Sequence, residues 1–165
     1  MNYTEFEKLD LDLSAVGWSK TDESDAPYFC TPRGAYIIGR AGVDGIHYCT
    51  VPTLGETVLA VSPMNAPGEY VHPIAADLTD LLRLLLACLD MNIIEQAWMW
   101  DKETLLEQIE ATRNSEYFDA SPLNALRERC GLEPMDEPYE YLCRLRSSFD
   151  YDSIPYTEEY YDLTE

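Results

Sequence analysis

An α+β fold, an antiparallel β meander covered by helices with a helical C-terminal extension, is predicted by three observations. The runs Ala35–Arg40, Ile46–Val51 and Thr57–Ser62 are rich in β-branched and aromatic residues and are separated by glycine turns. A leucine-rich segment with helical spacing follows at Leu78, and the second half carries helix-boundary residues around apolar positions. With 165 residues the chain can bury roughly 70% of its unfolded surface in one core. Residues 1–165 are therefore read as a single α+β domain: 1–90 form the sheet and core helix, and 91–165 form a helical extension with an acidic, tyrosine-rich tail.

At the N-terminus, Thr4 could cap a short helix through Leu9, while Leu9, Leu11 and Leu13 alternate with Asp10 and Asp12 as a strand would; both readings stay open. Residues 19–25 are polar and read as an exposed loop, and Tyr28-Phe29-Cys30 is a candidate short strand. Thr31-Pro32-Arg33-Gly34 has turn chemistry, because proline presets φ and glycine accepts a positive one. Gly42-Val43-Asp44-Gly45 suits an antiparallel hairpin, and Pro52–Glu56 does the same one strand later. Pro63, Pro67, Gly68 and Pro73 make 62–73 read as a loop leading off the sheet, with His72 in a turn. Asp77 then caps a helix whose Leu78, Leu81, Leu82, Leu85 and Leu89 share one face and should cover the sheet.

Further helices are expected from Ile93 to Trp98, and after Asp101 through Leu105, Leu106 and Ile109. Ser121 as cap, Pro122 at the first position and Gly131 past the end bracket another. The last runs from Pro138 to Phe149, with Leu142, Leu145 and Phe149 inward and Arg144 and Arg146 near its negative end.

Charge narrows the classes of partner. Thirty-one acidic residues against eleven basic ones leave a formal net of -20. Nucleic acid and anionic membranes need clustered Lys and Arg to replace counterions, so neither is an expected direct partner. A basic protein is the natural complement. Five cysteines at irregular spacing read as small buried hydrophobes in a reducing compartment. The first seven residues lack the basic start and apolar run of a signal peptide, and Asp80, Arg83 and Asp90 interrupt the most apolar stretch. A cytoplasmic protein without a membrane span is expected.

Catalytic candidates begin with His47, Cys49 and His72. The first two lie two apart on a strand and so share a face, as a zinc site or a Cys-His pair would require, yet no paired cysteine motif supplies further ligands. Asp44 sits in a glycine turn, where it is expected to satisfy backbone donors. No phosphate-cradling loop, serine elbow or dinucleotide fingerprint occurs. The expectation is no catalytic residue, no metal site and no cofactor. Aromatic residues offer partner-binding candidates instead: Trp98 and Trp100, which cannot face one direction on a regular helix, and Tyr151, Tyr156, Glu158, Glu159, Tyr160 and Tyr161 in the tail. The tail tyrosines are expected to lie on the domain's own surface, an acidic docking strap being the functional alternative.

The turn and strand Gly42–Cys49, the strand Thr57–Ser62 and the helix entry Ile74–Leu82 together resemble the Smi1/Knr4-like (SUKH) superfamily, over about a third of the chain. The resemblance implies an antiparallel sheet with helices packed on it and a binding role. Many bacterial members are toxin-neutralising immunity proteins, and fungal members are interaction hubs in cell-wall signalling. The expected function is thus a noncatalytic acidic protein-binding module whose basic partner is of the toxin-domain kind. An acidic decoy that mimics nucleic acid ranks second, and a small hydrolase or metal-binding enzyme third.

Overall fold

The glycine turns do bring the three expected runs side by side. In the computed structural model, which describes residues 1–22 and 25–165, they form strands β1 (Tyr36–Arg40), β2 (His47–Thr50) and β3 (Val58–Val61). The loop expected over 19–25 includes residues 23 and 24, which lie outside the described residues. In the β1–β2 turn Gly42, Asp44 and Gly45 all take positive φ, and the Val43 carbonyl accepts the Ile46 N–H. Asp44 therefore serves the turn through its φ of 53°.

A fourth strand, β4 (Val71–Ala75), was hidden by its proline. It pairs antiparallel with β3, Pro73 opposite Leu59, and completes a sheet in the order β1-β2-β3-β4. Proline is tolerated because β4 is an edge strand, where one missing N–H leaves no neighbour unpaired. His72 thus lies on a strand and not in a turn. Tyr28-Phe29-Cys30, conversely, is no strand: the Tyr28 carbonyl accepts the Thr31 N–H and turns the chain.

Helix α1 (Tyr3–Glu7) begins two residues earlier than a Thr4 cap would place it, because Asn2 and Glu5 cap each other's backbone. Leu13 then bridges to Trp18 around a short 3-10 turn, so 9–13 form neither a longer helix nor a strand. Helix α2 (Leu78–Cys88) is capped by Asp77, whose carboxylate accepts the Asp80 N–H at 2.8 Å. Leu81, Leu82, Leu84 and Leu85 are fully buried, a wider apolar face than one stripe. Leu89 is not on it; at φ 72° it ends the helix.

Helix α3 (Met91–Gln96) starts at an Asp90 cap and runs into a 3-10 turn over Ala97–Met99. Helix α4 (Lys102–Arg113) is capped by Asp101 as expected. In α5 (Ser121–Cys130) Ser121 is the first helical residue and not the cap; Asp119 accepts its N–H at 2.9 Å, and Gly131 closes the helix at φ 62°. Helix α6 (Pro138–Ser148) is tied to the β4–α2 junction by Tyr141, whose hydroxyl accepts the Ala76 N–H and donates to Asp80. Helix α7 (Glu158–Thr164) ends the chain. No described helix is long and apolar enough to cross a membrane.

Strand alternation sends side chains to two cores. Ile38, Tyr48, Val58, Ala60 and Ile74 face the α2 leucines, and Met91, Ile94, Leu105, Leu126 and Leu142 from α3–α6 join the same cluster. The second-half helices are therefore part of the main core. Cys49, Val51, Leu59, Val61 and Val71 face the other way, where Cys30, Tyr70, Ile154, Phe149, Tyr156 and Tyr160 cover them. Both sheet faces are closed.

Candidate functional site

The tail is fastened along β4. The Pro155 carbonyl accepts the Arg33 N–H at 2.6 Å, and Thr157 donates its hydroxyl to the Phe29 carbonyl, so the strap is pinned to the turn before β1. Tyr156 and Tyr160 stack at 3.7 Å and 8°, Tyr160 meets Tyr70 edge-on, and Tyr70 meets Phe29 in the same way. Burial pushes the Tyr156 hydroxyl well above the usual tyrosine value. Further along the strand His72 stacks on Trp98 at 4.2 Å, with Tyr151 across its edge and the Tyr151 hydroxyl 3.2 Å from Nδ1. Burial lowers His72 to about 4, so the ring is neutral at physiological pH.

The expected partner-binding residues thus divide. Trp98 meets Tyr151 through His72, while Tyr156, Tyr160 and Tyr161 form one aromatic group. Trp100 stands apart, half-buried against the main core. Neither tryptophan is exposed, so their divergent directions on the chain free neither of them. Glu158, Glu159, Tyr151 and Tyr161 face solvent. Tyr156 and Tyr160, and Trp98 through His72, hold the strap to the sheet.

His47 and Cys49 do share a face, but each is occupied by structure. The Gly45 carbonyl can only accept, so His47 Nδ1 carries the proton at 2.8 Å; Nε2 then accepts from the Thr31 hydroxyl at 3.0 Å, which itself accepts the Tyr28 N–H. Both ring nitrogens are spent on joining the loop to the hairpin, and burial holds the imidazole neutral. Beside it lies a cleft of about 550 Å³, bordered by Tyr28, Val43 and the Arg40–Asp25 ion pair at 2.6 Å. Burial raises the thiols of Cys30 to about 11 and of Cys49 and Cys88 to about 12, which leaves them protonated and poor nucleophiles at neutral pH. Among the described residues no three His, Cys, Asp or Glu side chains converge as metal ligands.

One titratable group escaped sequence reasoning. Glu95 on α3 is buried, accepts the Ser62 hydroxyl at 2.5 Å, and has its carboxyl pushed up by burial, with Asp44 adding to the rise and the Ser62 bond opposing it. In an acid-rich sequence nothing distinguishes it, except that it follows Ile93 and Ile94 in an apolar run.

Apart from Glu95, the described carboxylates lie at or near the surface. Lys20, Arg40, Lys102, Arg113 and Arg127 each face an acid, so much of the positive charge is already neutralised. On α4 the exposed Glu103, Glu107 and Glu110 flank the exposed Leu106. Tyr117, 88% exposed, follows that helix. Comparisons with protein-family models, curated proteins and solved structures find no match for the chain.

Proposed function

We propose that this protein is a noncatalytic, acidic protein-binding module whose partner is a basic protein, of the toxin-neutralising kind that the Smi1/Knr4-like resemblance implies. The observation that carries the reading is the exterior: nearly all of a net charge of -20 is displayed on a body whose two sheet faces are both closed. Such a field accelerates capture of a basic surface more than it deepens affinity. Exposed tyrosines beside carboxylates, Tyr161 next to Glu158 and Glu159 among them, supply anchor groups of the type found at binding hot spots. The raised thiols and the fully hydrogen-bonded His47 argue against the Cys-His alternative.

The test is affinity capture from the native host, identification of bound proteins by mass spectrometry, and association kinetics of the reconstituted complex. A basic partner whose on-rate falls steeply with added salt is expected. Co-purification of a sugar, nucleotide or metal with no basic protein bound would reverse the reading.

A second reading, a decoy of nucleic acid, is favoured by α4. Glu103, Glu107 and Glu110 form an exposed line at roughly 6 and 4.5 Å intervals along the axis, as the rise of 1.5 Å per residue dictates. Competition with DNA for a basic nuclease, lost on neutralising this line, tests it.

A further inference from the structure

A groove of about 370 Å³ runs between α1 and the segment that follows it, with no residue of the strap in its lining. Its floor is apolar: Phe6, Leu13 and Trp18, with Leu11 at the side. The floor is rigid, because Trp18 packs against Phe6 at 5.4 Å and Tyr48 at 5.9 Å and lies directly on Gly39. Its rim is acidic. Glu7 is exposed, and Asp12 is kept ionised by the hydrogen bonds it accepts from the Ser14 hydroxyl and N–H, which hold its carboxyl below the usual range. Lys20, the one basic residue lining the groove among the described residues, is engaged by Asp10, toward which Arg129 also contributes from α5. One pair cancels and two carboxylates remain unbalanced.

We propose that this groove receives a basic peptide segment of the partner, one apolar side chain seated on Trp18 and Phe6 and flanking Lys or Arg side chains on Glu7 and Asp12. The volume lies within the range of preformed ligand sites and suits one or two side chains. An immobile aromatic floor loses little entropy on binding. The acidic rim rejects the chain's own tail, which from Phe149 onward carries no Lys or Arg, and disfavours a second copy of a chain with net charge -20. The inference rests on the protein-binding reading and gives it a location.

The probe is a short acetylated peptide of alternating lysine and leucine. Its controls carry glutamate in place of lysine, or serine in place of leucine. Saturable binding of the lysine–leucine peptide alone is expected, with NMR shifts confined to Phe6, Leu11, Leu13, Trp18 and their neighbours. Glu7→Lys should weaken it about five- to tenfold, as expected for reversing one exposed charge, while Glu116→Lys, at an exposed carboxylate outside the groove lining, leaves it unchanged. No saturable binding, shifts confined to the tail, or equal affinity in Glu7→Lys would overturn the groove assignment. The captured basic partner separates the two failures: binding lost in Glu158→Lys with Glu159→Lys but kept in Glu7→Lys removes the groove and keeps the module, whereas no basic partner at all removes both.

Discussion

Gly39→Ala should destabilise the protein by lifting Trp18 off the sheet. Gly39 lies at the irregularity between Ile37 and Gly39 in the β1–β2 register, and its φ is not positive, so alanine meets no backbone strain there. An added Cβ would fall 2.8 Å from Cδ1 and 2.9 Å from Cε2 of the Trp18 indole, and closer still to Nε1, where ordinary contact needs 3.4 Å or more. The ring cannot swing freely, since Phe6 and Tyr48 pack against it. Overpacking of this kind costs about 1–3 kcal/mol, and the lower entropy of the unfolded alanine chain returns about 0.4–1 kcal/mol. A net loss of about 1–2 kcal/mol remains. For a domain of this size that is a Tm lower by roughly 2–8 °C. Urea denaturation of Gly39→Ala, Trp18→Phe and the double variant measures it. The double variant should lose less than the sum of the singles, because the smaller ring vacates the space the methyl needs. A Gly39→Ala protein as stable as the parent, or strict additivity of the two changes, would refute the contact and with it the rigid floor of the groove.

Leu85→Ala, at a fully buried position between α2 and the sheet, should cost about 2–5 kcal/mol in chemical denaturation; an unchanged midpoint would remove α2 from the centre of the core. Glu95 has a raised folded pKa, so its contribution is present below its ordinary value near 4.5 and is lost as pH rises through the folded value. Glu95→Gln, which still accepts the Ser62 hydroxyl, should therefore gain on the parent as pH rises from 5 to 8 in paired urea titrations, and a pH-independent difference contradicts this. His72 has the opposite sign: its folded pKa is depressed from 6.5 to about 4, so its contribution is present above 6.5 and is lost as pH falls toward 4. After solvent screening this is on the order of 1–2 kcal/mol, and His72→Gln should flatten that part of the stability curve; identical slopes in both proteins speak against it. Added NaCl should raise Tm between low and moderate ionic strength by screening the net charge of -20, and an indifferent Tm would show the carboxylates to be too dispersed to repel.

Local chemistry made much of the fold legible. β1–β3 and the boundaries of α2, α4 and α6 lie within a few residues of where strand composition, capping acids and prolines place them, because a turn glycine or a helix cap acts on its own neighbours in the chain. β4 was illegible for the complementary reason. Pro73 is a loop signal in isolation, and only the empty outer side of an edge strand makes it acceptable in the ladder. The candidate surfaces divide likewise. The excess of carboxylates and the tyrosines of the tail can be counted in one dimension, but that Tyr156 and Tyr160 close the second sheet face, that Trp98 is occupied by His72, and that Trp18 floors an acid-rimmed groove are contacts between residues far apart in sequence. Gly39 alone hinted at the last of these, since a glycine inside a strand marks close approach by another group without saying which. By itself the sequence determined an acidic α+β body, through composition and through interactions spanning a few residues. Only the tertiary structure decided which aromatic side chains are spent on packing and which remain free for a partner, because burial is a property of the assembled neighbours and not of the residue.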